Sequence, residues 1–207
     1  MTADRRIATL LMAAGLSSRF GSHKLLHRTA DGRTIIERSL ASTSGLDPRD
    51  LWIVTGYRAD NLAASLENFQ QLTVSNYDLG LGHSIAGAVS QLLETERHYD
   101  ALMIVLADQV ALRPNTVGDF TAEYLRAEDW TAVQSACYES ANGRVNVPPV
   151  IFPRRDFAAL QTLEGDRGGS SLVKAAAGEG RLRTILLPEA AIDIDTPADL
   201  ETLDPKI

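Results

Sequence analysis

Short apolar runs recur along the chain, and between them lie longer segments whose apolar residues return every three or four positions. The short runs predict β-strands at Ile7–Met12, Leu51–Thr55, Leu72–Ser75, Ala101–Leu106, Thr131–Cys137, Val147–Phe152 and Arg183–Leu187. The longer segments predict helices at Thr34–Ser42, Ala59–Leu66, Ser84–Thr95 and Asn115–Arg126. Because strands and helices alternate, the pattern favours an α/β fold with a mostly parallel sheet.

The polar segments that follow the predicted strands indicate where a ligand would bind. In parallel sheets ligands collect beyond the carboxyl ends of the strands, so we expect Gly15–Lys24, Ser75–Ser84 and Asp108 along one rim. The sequence from Asn142 to Asn146 is typical of a hairpin turn. We therefore expect one domain over residues 1–207, with an excursion around residues 138–150 that faces the substrate.

Composition and charge narrow the class of protein. The chain has 207 residues, of which 44% are apolar, but no apolar run approaches the roughly 18 residues that span a bilayer. A formal net charge of −7 argues against non-specific binding of nucleic acid, which needs a basic surface. The single cysteine, Cys137, cannot form an intramolecular disulfide. We expect a cytoplasmic protein with no nucleic-acid or membrane partner.

The segment after the first predicted strand has the chemistry of a polyphosphate site. Gly15 allows a ligand to approach the backbone, and Arg19 and Lys24 add positive charge. Two familiar phosphate loops are excluded by spacing. Five residues rather than four separate Gly15 from Gly21, and the Rossmann pattern Gly-x-Gly-x-x-Gly is absent.

Two acidic segments are candidate magnesium ligands. Asp108 follows a buried strand that would orient its carboxylate, although it could equally cap the helix that begins near Pro114. Asp193 and Asp195 lie in a second acidic segment, and only one of the two is expected to face a given site. Asp195 could also cap the last helix, because Pro197 suits a first helical turn.

Taken in order, these segments resemble the MobA-like nucleotidyltransferases, most closely the branch that makes the cytidylylated molybdenum cofactor. The resemblance covers nearly the whole chain. It is carried by Leu11–Gly21 with Lys24, Val54–Tyr57, Asn76 with Gly80 and Ser84, Leu106–Gln109, Gly165–Gly168, and Asp193–Pro197. Ala13-Ala14-Gly15 is closer to the cytidylyl branch than to the guanylyl branch, which more often has two adjacent glycines.

The resemblance implies a Rossmann-like three-layer α/β sandwich of the nucleotide-diphospho-sugar transferase type. It implies transfer of CMP, or less often GMP, from the nucleoside triphosphate to a phosphorylated acceptor such as molybdopterin cofactor, with Mg²⁺ as the cofactor and pyrophosphate as the product. A molybdoenzyme or its maturation factor would be a further partner. Lys24, Arg19 and Asp108 would be catalytic, and Asp108 and Asp195 would bind the metal. The nucleotide would be bound by Ala13, Ala14, Gly15, Ser17, Ser18, Asn76, Gly80 and Ser84.

The chain departs from the family pattern mainly on the acceptor side. Val110 stands where proline is common, and Val147-Pro148-Pro149 replaces an expected Gly-His-Pro. His23 also occupies a frequent proline position. Two other functions remain open from the sequence, namely an NAD(P)H-dependent oxidoreductase acting on heteroaromatic compounds and a non-catalytic chaperone of molybdenum cofactor. Retained Lys24 and Asp108 favour turnover over storage.

Overall fold

A seven-stranded sheet forms the centre of the molecule in the computed structural model, which describes residues 5–17, 20 and 22–202. The strands are β1 (Ile7–Met12), β2 (Leu51–Thr55), β3 (Gln70–Thr73), β4 (Ala101–Leu106), β5 (Val133–Ser140), β6 (Gly143–Pro153) and β7 (Leu182–Leu186). The α-helices are α1 (Ile35–Ser42), α2 (Ala63–Leu66), α3 (Leu81–Glu94), α4 (Pro114–Arg126), α5 (Phe157–Leu160), α6 (Ser170–Gly178) and α7 (Pro197–Thr202).

The sheet is mixed but mostly parallel, with the strand order β3-β2-β1-β4-β6-β5-β7. Only β6 runs against its neighbours, β4 and β5. The chain moves outward from β1 to β2 and β3 and then returns to place β4 on the other side of β1. Because the winding direction reverses there, a crevice opens between the carboxyl ends of β1 and β4. The loops after these two strands therefore face each other.

Alternating side chains of β1 explain why the fold has three layers. Ile7 and Leu11 belong to one core cluster, which includes side chains from α1, α2 and α4. Leu10 and Met12 belong to a second cluster, which includes side chains from α3, α5 and α6. Since successive strand residues point to opposite faces, a strand that is apolar throughout needs helices on both sides. All six residues of β1 are buried.

The expected fold class, an α/β three-layer sandwich with a mostly parallel sheet, is confirmed. Three strands, β1, β2 and β4, have the predicted bounds. Strand β3 begins and ends two residues earlier than predicted, since only Leu72 of its four residues is buried and the apolar signal there is weak. Helices α5 and α6 were not predicted: α5 is a single turn, and α6 buries only Val173 and Ala176.

The predicted turn near Asn142 is confirmed as the connection of a β-hairpin. Strands β5 and β6 pair antiparallel up to Ser140 and Gly143, and Gly143 has a φ of 105°, which favours glycine. The hairpin explains how an antiparallel strand enters the sheet. That it faces a substrate, and that residues 1–207 form one domain, remain predictions. In the part of the chain that the structure describes, no helix is long and apolar enough to cross a membrane.

Candidate active site

A cleft of about 320 Å³ opens at the crevice between β1 and β4. The loop after β1, the start of α3 and the end of β4 form its walls. Its lining consists of Met12, Ala13, Ala14, Gly15, Leu16, Ser17, Lys24, Leu25, Tyr77, Asp78, Gly80, Leu81, Ser84, Leu106, Asp108 and Asp166. Segments from distant parts of the sequence thus meet at the rim where the sequence analysis expects a ligand.

The loop after β1 is shaped by its own hydrogen bonds. Ser17 adopts a left-handed conformation with a φ of 55°, and its hydroxyl accepts a bond from the backbone N–H of Lys24 at 3.2 Å. Gly15 has no atom within 4 Å of the position that a Cβ would occupy, so this residue presents bare backbone to the cleft. The loop therefore leaves room for a ligand and fixes the start of the Lys24 turn.

His23 precedes Lys24 in the chain and is buried without adding charge to the site. Its side chain is 5% exposed, and its ring lies 6.1 Å from the ring of Tyr57. Burial lowers the pKa of His23, and the nearby Arg58 lowers it further. A neutral imidazole at this position leaves the Lys24 ammonium as the positive group that this turn presents to the cleft.

An ion-pair cluster forms where the two loops meet. The Nζ atom of Lys24 lies 2.7 Å from Oδ2 of Asp108 and 3.9 Å from Oδ1 of Asp195. The side chains of Lys24 and Asp108 are 13% and 22% exposed, so their attraction is screened less than that of a surface pair. The other carboxylate oxygen of Asp108, Oδ1, is buried and has no hydrogen-bond partner among the described residues. A buried acceptor without a partner suits the binding of a cation.

Asp193 also belongs to this acidic cluster, which corrects the expectation that only one acid of the 193–195 segment would face the site. Desolvation raises the pKa of the Asp193 carboxyl above its ordinary value, and repulsion from Asp108 and Asp195 raises it further. Residues two apart in an extended segment point to the same side, and residues 192–195 form neither helix nor strand. The backbone N–H of Ile194 donates to the carbonyl of Asp108 at 3.2 Å, which holds this segment beside β4.

The alternative role of Asp195, as a cap of the last helix, stays a prediction. Helix α7 begins at Pro197, so Thr196 is the residue that precedes it. The Asp199 carboxylate accepts hydrogen bonds from the backbone N–H groups of Thr196 and Asp195 at 2.6 and 2.9 Å. An acid inside the first turn therefore satisfies the free N–H groups at this helix start. One oxygen of the Asp195 carboxylate, Oδ1, lies 3.9 Å from the Nζ atom of Lys24.

The donor set fits a hard divalent cation that is shared with a substrate. Carboxylate oxygens are the ligands that Mg²⁺ and Mn²⁺ prefer, and Asp108 supplies an unpartnered one. Among residues 5–17, 20 and 22–202, no three His, Cys, Asp or Glu side chains are arranged to hold a metal by themselves. Magnesium sites of nucleotide-using enzymes need only one or two carboxylates, because phosphate oxygens and water complete the coordination. The residues present are therefore consistent with such a site.

Most of the predicted nucleotide-binding residues lie on the cleft wall. Ala13, Ala14, Gly15, Ser17, Gly80 and Ser84 all line it. Asn76 does not, because its amide donates to the backbone oxygen of His83 at 3.1 Å and holds the first turn of α3. Ser18 and Arg19 lie outside the described residues. Tyr77 and Asp78 also line the cleft but are not among the predicted site residues. Their position between Asn76 and Gly80 is the feature of the sequence that could have indicated them.

A second cleft, of about 490 Å³, adjoins the first, since Leu81 and Leu106 line both. Its walls are mostly apolar and include Ile85, Ile104, Val147 and Phe152. Three exposed cations line it, namely Arg144, Arg167 and Lys174. Arg144 is paired with Glu139 at 2.8 Å. Arg167 and Lys174 have no ion-pair partner among the described residues, so both are available to an anionic ligand.

Comparison with known proteins identifies relatives of this chain. The family profile of the MobA-like NTP transferase domain matches residues 9–181. Among curated proteins, the bifunctional protein GlmU of Sphingopyxis alaskensis is 32% identical over 138 residues, which are 66% of this chain and 30% of that protein. The chain thus spans less than a third of the length of this curated relative.

Three of the solved structures that resemble this chain share the fold over almost their whole length. Rv0371c from Mycobacterium tuberculosis H37Rv is 25% identical, with a TM-score of 0.78 over 98% of each chain. A further structure of Rv0371c is a complex with manganese, with a TM-score of 0.75, 22% identity and coverage of 98% of this chain and all of that one. A nucleotidyl transferase from Methanothermobacter has a TM-score of 0.75 at 21% identity and covers 95% of each chain.

Proposed function

Because this chain belongs to the family of MobA-like NTP transferase domains, and is therefore a nucleotidyltransferase, we propose that it transfers CMP from CTP to the phosphate of molybdopterin cofactor and releases pyrophosphate. The observation that carries the proposal is the ion-pair cluster of Lys24, Asp108 and Asp195, of which Lys24 and Asp108 line the cleft between β1 and β4. A cation and carboxylates at that place are what a triphosphate and its divalent metal require.

The donor half of the reaction follows from the loop after β1. The triphosphate lies against the bare backbone of Gly15, and the Lys24 ammonium neutralises charge on the β- and γ-phosphates. An oxygen of the acceptor phosphate attacks the α-phosphorus and forms a new P–O bond. The bond from the α-phosphorus to the bridging oxygen breaks, and its electron pair leaves with pyrophosphate. Lys24 stabilises that leaving charge, so catalysis relies on positioning and electrostatics and needs no covalent nucleophile.

Asp108 and Asp195 are the residues that would hold Mg²⁺ or Mn²⁺, with Asp193 beside them. When bound, the metal supplies neutralisation of charge on the phosphate oxygens. The manganese complex of the relative Rv0371c supports a divalent metal for this chain. The Lys24 ammonium contacts the carboxylates of both Asp108 and Asp195. When a metal neutralises these carboxylates, the ammonium would turn toward the phosphates.

The second cleft supports an acceptor with a flat, apolar body and anionic groups. Its apolar walls suit a ring system, and Arg167 and Lys174 are available to a negatively charged substituent. Its continuity with the donor cleft through Leu81 and Leu106 would bring the acceptor phosphate to the α-phosphorus. A phosphorylated pterin such as molybdopterin cofactor is flat and anionic, and the faces of its rings can pack against apolar walls. The choice of CTP rests on the sequence Ala13-Ala14-Gly15, which has a single glycine where the guanylyl branch more often has two adjacent ones.

The proposal is tested by measuring pyrophosphate release. The protein is incubated with Mg²⁺ and each of the four nucleoside triphosphates, with and without molybdopterin cofactor. We expect release only with CTP and the cofactor together, and loss of that release in Asp108→Asn. The matched control is Asp119→Asn on the exposed face of α4, which should leave the rate unchanged.

Three outcomes would overturn the proposal or part of it. Release with GTP instead of CTP would overturn the donor, and release with a different phosphorylated acceptor would overturn the acceptor. The third outcome is that no pair releases pyrophosphate and that NAD(P)H is oxidised in the presence of a heteroaromatic compound. This result would indicate an NAD(P)H-dependent oxidoreductase instead of a nucleotidyltransferase.

A further inference from the structure

The side chain of Gln109 joins three segments that are far apart in the sequence. It follows Asp108 and is 3% exposed. Its Nε2 atom donates to the backbone oxygen of Pro148 at 2.6 Å and to that of Ala190 at 2.8 Å. Its Oε1 atom accepts from the backbone N–H of Leu106 at 3.3 Å. Both amide hydrogens and the carbonyl oxygen are therefore used, and the two carbonyl partners fix which end of the amide is nitrogen.

These hydrogen bonds lie beyond the last backbone pair between strands β4 and β6. The antiparallel ladder between β4 and β6 ends at the pair Ile104 and Val150. Pro148 and Pro149 come next on β6, and proline has no N–H with which to continue a ladder. The Gln109 amide instead accepts from the N–H of Leu106 on β4 and donates to the carbonyl of Pro148 on β6. It thus connects the end of β4 to β6 beyond the last strand pair.

Each of the three connected segments carries a part of the proposed site. Residue 108 provides the buried carboxylate that contacts Lys24. Pro148 lines the second cleft, which we assign to the acceptor. Ala190 lies at the end of a short 3-10 helix that leads directly into Asp193 and Asp195. One side chain therefore spans the metal carboxylates and the wall of the acceptor cleft.

We propose that Gln109 is a positioning residue that sets the distance between the carboxylates of Asp108 and Asp195 and couples them to the acceptor-cleft wall at Pro148. The inference rests on the proposed function, because it assigns those carboxylates to a metal and that cleft to the acceptor. Without the amide, the turn after β4 and the 190–195 segment keep the hydrogen bond from Ile194 to Asp108 but lose their shared attachment to β6 at Pro148. Placement errors near 1 Å cost about 10²-fold in rate when they affect reacting groups.

The test compares two buried amides that differ in location. Gln109→Met removes the hydrogen bonds at similar size. Gln134→Met is the matched control, because Gln134 is 1% exposed and donates to the Phe120 carbonyl at 2.7 Å on the face of the sheet covered by α4. For each folded variant we would measure CTP affinity without metal, Mn²⁺ affinity in the presence of CTP by electron paramagnetic resonance, and kcat and KM for pyrophosphate release.

Gln109→Met should bind CTP within about twofold of the wild type in the absence of metal, since the amide is not in the donor cleft. Its Mn²⁺ affinity and its kcat should each fall at least about tenfold. Gln134→Met should lose stability and leave both quantities unchanged. Gln109→Asn keeps the amide but is one methylene shorter, and it provides a milder second variant with the same expected direction.

Failures of the two proposals are distinguishable. If the wild type neither binds Mn²⁺ with CTP nor releases pyrophosphate, the proposed function is wrong. If the wild type does both and folded Gln109 variants match it, the positioning inference is wrong. An equal loss of Mn²⁺ affinity in Gln134→Met, or failure of both Gln109 variants to fold, would assign Gln109 to general stability and would also overturn it.

Discussion

At the scale of single residues, Lys24 has two competing uses. Its ammonium lies 2.7 and 3.9 Å from carboxylate oxygens of Asp108 and Asp195, the two residues proposed to bind the divalent cation. In the proposed reaction the same ammonium stabilises the leaving pyrophosphate. Removing it should therefore change metal binding and catalysis in opposite directions.

The first prediction concerns Lys24→Met. Mn²⁺ alone should bind more tightly than to the wild type, because no ammonium competes for the carboxylates. Pyrophosphate release should fall by about 30- to 1,000-fold, corresponding to roughly 2–4 kcal/mol of transition-state stabilisation. Titration calorimetry and a coupled pyrophosphate assay measure the two effects, and Arg126→Met, at the exposed end of α4, serves as a control for loss of one cation. A faster or unchanged reaction would remove Lys24 from the mechanism.

The second prediction concerns Asp193 and pH in the protein free of metal. The pKa of its carboxyl is raised above 3.8 by desolvation and by Asp108 and Asp195. The folded state therefore binds more protons than the unfolded state between pH 3.8 and the raised pKa, so the free energy of unfolding falls as pH rises through that interval. Asp193→Asn should stabilise the protein above the raised pKa, and the gain should vanish below pH 3.8.

Urea unfolding from pH 3.5 to 7.5 in the presence of a chelator checks this prediction. Replacing any acid also reduces the net charge of −7, so Asp119→Asn is needed to correct for that general effect. A gain for Asp193→Asn that equals the control, or that persists at the lowest pH, would contradict the assignment.

At the scale of elements, the start of α3 depends on a close approach of backbone to backbone. The N–H of Gly82 donates to the carbonyl of Gly165 at 2.7 Å, and Gly80 has a φ of 111°. A Cβ on Gly82 would lie 2.6 Å from the Glu164 carbonyl oxygen. The glycines therefore bring α3 against the 164–168 loop, which places Ser84 and Asp166 on the same cleft.

The third prediction compares one substitution in two helices. Gly82→Ala should destabilise the protein by about 1–3 kcal/mol, because the methyl group meets rigid backbone. Gly118→Ala, in α4, should stabilise it by about 0.5–1 kcal/mol, because glycine is unfavourable in a helix and no atom lies within 4 Å of the new methyl group. Denaturant unfolding measures both. Equal effects of the same sign would show that the approach at Gly82 does not limit the packing of α3.

The sequence indicates these elements to different degrees. Strands β1, β2 and β4 are central and continuously apolar, so their residues alone fix their bounds. The predicted helix begins at Ser84, three residues after the observed start of α3 at Leu81, because residues 81–83 resemble a loop in sequence. They become helical because the 164–165 segment packs against them and accepts the hydrogen bond from Gly82.

At the scale of the whole molecule, the site joins loops from both halves of the chain, so ligand binding should stabilise the fold as a unit. A ligand that binds only the folded state adds about 2.7 kcal/mol at a hundredfold excess over its dissociation constant. For a chain of this size that corresponds to a rise in Tm of about 5–10 °C.

The fourth prediction follows from that linkage. CTP should raise the Tm, and addition of Mg²⁺ should raise it further, because metal and nucleotide share the site. In Asp108→Asn the additional rise with Mg²⁺ should disappear, whereas the rise with CTP alone should remain. Calorimetry at matched concentrations measures the shifts. A wild type in which Mg²⁺ adds nothing to the effect of CTP would contradict a shared site.

The sequence by itself determined the α/β class, most of the sheet and the chemistry of the loop after β1. Those features depend on local patterns, namely the periodicity of apolar residues and the order of small and charged residues around Gly15 and Lys24. The tertiary structure decided which acids meet Lys24, that β6 runs antiparallel, and that Gln109 connects three segments. The contacts of Lys24 with Asp108 and of Gln109 with Pro148 and Ala190 span 39 to 84 residues of sequence, and they arise only when the strand order reverses between β1 and β4.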